Sequence, residues 1–298
     1  MYQFHFQPYQ RTFKQPLKTS HGKWEVREGI ILSLTDGAGK TSWGEIAPIS
    51  WFGSETVTQA LNYCRQVSTE ITAETICSIP DSLPACQSGF ESALEAKNQN
   101  YSQLTYSGLL PAGIAALQQW SVLWEQGYRT FKWKVGVYPI AEELEIFAAI
   151  THSLPESAIL RLDANGGLTY DEANIWLQAC DNSKVIEFIE QPLGVEKFEQ
   201  MQQLSNCYQT AIALDESVAT FNQLQACYQQ GWRGIFVIKP SIVGFPSRLR
   251  QFCQNYNIDA VFSSAFETEI GRKSALNLAV ELSNPNRAVG FGISHWFE

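Results

Sequence analysis

The sequence predicts a closed parallel α/β barrel preceded by a smaller α+β module, and three observations predict it. Five apolar runs, at 130–134, 159–163, 185–190, 211–215 and 235–239, recur every 24 to 29 residues. That is about the length a strand, a crossover helix and their loops occupy in a parallel sheet. Each run ends on a charge, in the order Lys134, Asp163, Glu190, Asp215 and Lys239. Equal spacing puts all five at one end of successive strands, the end where barrels build active sites. The strict alternation begins only near Tyr101, so the residues before it form a separate module.

Within that module, 28–35 reads as a strand, Asp36-Gly37 as a turn and 41–46 as the returning strand of a hairpin. Residues 54–68 carry Val57, Leu61 and Cys64 at helical spacing. Pro80 to Pro84 is a break, and 89–98 reads as another helix. The barrel then starts with a short strand at 104–107 and a helix at 113–126. Further helices are expected near 141–153, 170–181, 196–207, 221–230, 246–255 and 271–283, with a strand at 260–264 between the last two. An eighth short strand is expected at 288–291. Seven or eight consecutive βα units favour a closed barrel over an open sheet, and no Gly-x-Gly-x-x-Gly comes after the first strand.

The 298 residues suffice for a large core, and 45% apolar with 17% charged content is that of a folded globular chain. A net charge of −9 without a basic run argues against nucleic acid or an anionic membrane as the partner. No targeting segment or membrane span is read, which points to the cytoplasm. The seven cysteines are odd in number, scattered and free of Cys-x-x-Cys, so reduced, buried thiols are expected. Oligomeric state is not legible.

Three carboxylates on consecutive strand ends must be compensated, and a divalent cation does so directly. All-oxygen donors suit Mg²⁺ or Mn²⁺, and none of the four histidines ends one of these strands. Asp163, Glu190 and Asp215 are therefore the expected metal ligands. Asn165 shares a face with Asp163 by strand alternation, and Lys132 and Lys134 both point inward around Trp133. Two inward lysines are costly as structure. As chemistry they fit a small carboxylate substrate whose α-proton is acidified by the ion, one lysine abstracting it as the enediolate forms.

Lys132-Trp-Lys134, Asp163-Ala-Asn165, Glu190-Gln-Pro192, Asp215-Glu-Ser217 and Lys239-Pro240 together resemble the signature of the enolase superfamily, muconate-lactonising branch. The resemblance covers nearly the whole chain. It implies an α+β capping domain at 1–98, a modified TIM barrel, (β/α)7β, at 99–286, a tail at 287–298 packing back on the cap, and one Mg²⁺. Arg27-Glu-Gly29, the run 43–48 (WGEIAP), Arg161-Leu-Asp-Ala-Asn165 and the run 263–268 (SSAFET) are similar to the branch members that dehydrate 2-succinyl-6-hydroxy-2,4-cyclohexadiene-1-carboxylate to o-succinylbenzoate, on the way to menaquinone or phylloquinone. Lys134 would then be the base, and Lys239 a cation over the ring. Lys132 would contact the metal-bound carboxylate, Asn165 and Arg161 would support the residues around the metal and substrate, and Ser263 and Ser264 would help hold the succinyl tail. Ser20 and His21 on one loop, with Trp51 and Phe52 on another, would close the mouth, Gly22 and Gly53 supplying backbone freedom. N-succinylamino acid racemase, dipeptide epimerase and muconate cycloisomerase chemistry are the alternatives on this scaffold. The neutral Ser263-Ser-Ala, where dipeptide epimerases commonly carry an acidic motif, weighs against the second.

Overall fold

A computed structural model describes residues 1–95 and 99–297 of the chain. It opens with a long antiparallel hairpin, β1 (Tyr2–Thr19) and β2 (Gly22–Asp36), whose tip is the Ser20-His-Gly22 turn. β3 (Thr41–Ile46) pairs with β2 after a turn in which Asp36 Oδ1 accepts from the amides of Ala38 and Lys40. The two-residue β4 (Glu70–Ile71) pairs with the start of β1. Helices α1 (Val57–Gln66), α2 (Ala73–Cys77) and α3 (Pro84–Glu95) accompany this sheet, with Ala60, Cys64 and Phe90 in one core with Ile30, Leu32 and Leu34. α1 is shorter than the expected 54–68 because Thr56 caps it, its hydroxyl accepting from the Gln59 amide while Gln59 answers in kind. α3 starts at Pro84, ahead of the expected 89. The end of that helix at 98, and the domain boundary set there, lie outside the described residues.

Eight parallel strands complete the chain: β5 (Tyr106–Leu110), β6 (Thr130–Lys134), β7 (Ile159–Asp163), β8 (Ile186–Glu190), β9 (Ala211–Leu214), β10 (Ile235–Ile238), β11 (Asp259–Phe262) and β12 (Val289–Gly292). They lie in the order β11-β10-β9-β8-β7-β6-β5-β12, and a parallel bridge from Ser263 to Gly290 joins the two ends. Around them run α4 (Ala116–Glu125), α5 (Ile140–Ser153), α6 (Tyr170–Asp181), α7 (Phe198–Cys207), α8 (Phe221–Gln229), the one-turn α9 (Pro240–Val243), α10 (Pro246–Asn255) and α11 (Glu269–Leu282). The first barrel strand begins at Tyr106, later than the expected 104, because Tyr101 to Leu104 form a turn.

Alternation along each strand sorts the side chains. Trp133, between the two lysines, faces the helices and meets Trp176 edge to face at 6.1 Å. Phe188, Ala213, Val237 and Val261 share the parity of the charged or serine residue two places on, and with Ile235 they form a separate small core that fills the barrel below its mouth. Of the stretch assigned to a tail, Val289–Gly292 is a strand of the barrel; only the residues beyond Gly292 pack on the cap, Phe297 stacking on Phe13 at 4.6 Å.

Glu45 ties the two units together. Its buried carboxylate accepts from Tyr9 Oη of β1, and from the amides of Thr268 (2.9 Å) and Gly271 (2.9 Å) and the Thr268 hydroxyl at the start of α11. A carboxylate at a helix N-terminus satisfies amides that have no partner within the helix. Gly44 beside it allows contact with α3, since a Cβ there would lie 2.1 Å from the Gly89 carbonyl oxygen. No helix among the described residues is long and apolar enough to cross a membrane. All seven cysteines are free, four of them buried, but Cys77 and Cys207 are exposed, contrary to the expectation of uniformly buried thiols.

Candidate active site

The strand order places the five strand-end charges, together with Lys132, in one arc at the barrel mouth. β6 carries Lys132 and Lys134, and β7, β8 and the residue after β9 carry Asp163, Glu190 and Asp215. Lys239 comes directly after β10 at the far end. One oxygen from each carboxylate lies within 4.8 Å of the others, and all three side chains are buried. Lys132 Nζ reaches Asp163 Oδ2 at 2.8 Å and Glu190 Oε1 at 2.6 Å, Lys134 Nζ reaches Asp163 Oδ2 at 2.6 Å, and Lys239 Nζ pairs with Asp215 Oδ1.

The lysines do not neutralise the cluster evenly. Burial pushes Asp163 up, but Lys132 and Lys134 outweigh it and hold the carboxyl below its usual range. Burial, then the charge of Asp163, pushes Glu190 up to about 8, and burial raises Asp215 as well. A fourth buried acid, Glu216, is also raised by burial and then by the charge of Asp163. Four acids against three lysines leave an excess of negative charge that a buried site tolerates poorly. Three oxygens this close, with no imidazole or thiolate among them, fit a hard divalent cation.

The residues after each ligand fix its direction. Among the described residues, the non-glycine residues with positive φ are Asn165 (45°), Gln191 (39°) and Phe266 (60°), and all three border this site. Such strain persists where surrounding bonds over-determine it. Gln191 shows how: its Oε1 accepts from the amides of Asp215 (3.0 Å) and Ser217 (3.1 Å), and its Nε2 donates to Ser217 Oγ at 2.8 Å. The Glu-Gln-Pro and Asp-Glu-Ser motifs are thus two halves of one stitch.

A cavity at the mouth is lined by Lys132, Lys134, Asn165, Asp215, Lys239, Ser263 and Ser264, and by Trp24, Trp51, Phe52 and Phe266. A larger cleft of about 550 Å³ between Trp43, Arg250 and Lys273 contains none of the carboxylates. Ser263 and Ser264 thus reach the cavity, and Ser264 Oγ also donates to the buried Glu267 at 2.8 Å. Of the two cap loops expected to close the mouth, Trp51 and Phe52 line the cavity, while Ser20 and His21 lie outside its lining. Gly22 (φ 110°) and Gly53 (φ 128°) adopt left-handed turns, and the His21 and Trp51 rings meet at 5.1 Å. Phe52 is buried, and the Lys239 ammonium sits 3.8 Å from its ring centroid, so the cation that the sequence placed over a substrate ring already has an aromatic face from the cap.

Arg161 corrects the sequence reading. It shares the parity of Asp163 but lies two residues down the strand, about 7 Å deeper. Its guanidinium pairs with Glu187 (2.6 Å), donates to the Ala288 carbonyl (2.7 Å) and lies 4.8 Å from the Phe188 ring centroid, inside the barrel and away from the cavity. Glu216, conversely, is a site residue that the sequence reading passes over. It lies next to Asp215, accepts from Asn165 Nδ2 at 2.9 Å, and has its other oxygen buried with no hydrogen-bond partner. Its only signal is the second acid of Asp-Glu-Ser.

Fold and site define an α/β-barrel enzyme with a carboxylate trio between facing lysines. An "Enolase C-terminal domain-like" family matches residues 115–297, and the "MenC, N-terminal domain" family matches residues 1–97. The o-succinylbenzoate synthase of Thermosynechococcus vestitus is 40% identical over 97% of this chain and 91% of its own. The solved o-succinylbenzoate synthase of Thermosynechococcus elongatus, which holds magnesium in its active site, superposes with a TM-score of 0.90, at 37% identity, over 99% of this chain and 94% of that one. The Bacillus subtilis L-Ala-D/L-Glu epimerase shares the fold, with a TM-score of 0.85 at 19% identity over 99% of this chain and 90% of that one. The chain belongs to the enolase superfamily, and within it to the o-succinylbenzoate synthase family.

Proposed function

We propose that the chain is an o-succinylbenzoate synthase that dehydrates 2-succinyl-6-hydroxy-2,4-cyclohexadiene-1-carboxylate. The reaction reading rests on one observation: Lys134 and Lys239 stand at the two ends of a single arc of buried carboxylates. The substrate reading is supported by relatives of that name that match the chain nearly end to end.

Asp163, Glu190 and Asp215 hold Mg²⁺, for which Mn²⁺ substitutes. When bound, the ion stabilises the negative charge that develops on the substrate carboxylate as its α-proton leaves. Lys134 takes that proton. Asn165 Oδ1 accepts from Lys134 Nζ at 2.7 Å and so aims it. Lys132 bridges Asp163 and Glu190 and faces the substrate carboxylate. The hydroxyl then departs as water, with Lys134 returning the proton, and aromatisation of the ring drives the step. Lys239 stays cationic opposite, backed by Phe52. Ser263 and Ser264 hold the succinyl tail. Trp24, Trp51 and Phe266 exclude water from the mouth. The product feeds quinone biosynthesis in the cytoplasm.

Purified protein with Mg²⁺ and this cyclohexadiene tests the proposal, because aromatisation changes the ultraviolet absorbance. Turnover abolished by a chelator and restored by Mg²⁺ is expected; an unchanged spectrum with Mg²⁺ present rejects the assignment.

A further inference from the structure

The Gly166-Gly167 pair comes just after the Asp163 strand and has no part in the chemistry so far. A Cβ added to Gly167 would lie 2.6 Å from Ser20 Cβ, so the glycine makes a seat for the tip of the cap hairpin. In that seat Ser20 Oγ donates to the Asn165 carbonyl at 2.8 Å.

Asn165 is bonded on every side. Its amide donates to Asp163 Oδ1 at 3.0 Å, its Nδ2 donates to Glu216 Oε1 at 2.9 Å, and its Oδ1 receives Lys134 Nζ. With φ at 45° it sits in a conformation that relaxes if a tie is cut. Turning its peptide group would swing Oδ1 away from the lysine. Taking Lys134 as the base proposed above, we infer that Ser20 is a positioning residue: the cap turn, seated on Gly167, sets the aim of Lys134 through Asn165. The cap then does more than cover the mouth. It completes the geometry of proton transfer only when docked.

The test is a kinetic double-mutant cycle. One lost hydrogen bond of this kind corresponds to about a fivefold to tenfold fall in kcat for Ser20→Ala. KM, o-succinylbenzoate affinity and Mg²⁺ affinity should stay within about twofold, since the bond acts on the reacting geometry and not on binding. Ser20→Thr, which keeps the hydroxyl, should restore kcat. Gly167→Ala, which unseats Ser20, should reproduce the fall. In an Asn165→Ala background, Ser20→Ala should cost less than about twofold further, as contacts in one chain are not additive. Matching melting curves exclude unfolding as the cause. A Ser20→Ala effect confined to KM, or one of the same size in the Asn165→Ala background, overturns the inference and leaves the turn a plain cover. Lys134→Ala separates the two levels. Turnover lost there with additive Ser20 effects rejects this inference alone; turnover retained there rejects the base assignment as well.

Discussion

Lys134→Ala is expected to lower kcat by about 10³–10⁴-fold, the range a positioned proton-transfer group supplies at its upper end. That is roughly 4–5 kcal/mol of transition-state stabilisation. The fold should survive, because Asp163 keeps Lys132 at 2.8 Å as a counter-ion and the cavity around Lys134 is lined by residues other elements hold. Steady-state kinetics with Mg²⁺ at saturation, beside a thermal melt, checks both halves. Turnover within tenfold of the parent would mean that another group takes the proton, and Lys239, the other buried lysine of the arc, would be the one to examine.

Asp215→Asn is expected to weaken Mg²⁺ binding by more than roughly 100-fold, since even partners one shell beyond a metal are worth about 10–100-fold. The change keeps the shape of the side chain and removes its charge. It also strips Lys239 of its ion-pair partner, so turnover should fall even where Mg²⁺ is raised to saturation. A ligand that binds only the folded state raises the melting temperature with its concentration. The parent should therefore melt higher with each increment of Mg²⁺, and the variant should not over the same range. Isothermal titration gives the affinity directly; parent-like binding would remove Asp215 from the metal site.

How much of this was legible depended on whether one residue or a packing partner carried the signal. The barrel strands were readable because each pairs an apolar run with a terminal charge at a steady interval, and both features survive in one dimension. The five mouth charges share one arc for the same reason, with Asn165 two residues past Asp163; the two serines were suggested by the family resemblance and not by the spacing, and they line the same cavity. The long β1 was not readable. Only Phe4, Phe13, Leu17 and Thr19 of its residues are buried, and the register slips between Thr12 and Leu17, so the alternation that marks a strand is broken. Arg161 was misplaced because alternation gives the facing of a side chain but not its depth. The cap's hold on the lysines, Ser20 through Asn165 and Phe52 on Lys239, joins residues 145 or more apart in sequence and could come only from the folded chain.

A crystal structure grown with Mg²⁺ and o-succinylbenzoate tests the central claim most directly. It should show one ion about 2.0–2.1 Å from an oxygen of each of Asp163, Glu190 and Asp215. The product carboxylate should bind that ion, with Lys134 and Lys239 on opposite faces of the ring. Carboxylates spread apart without an ion, or both amines on one side of the ligand, would contradict it.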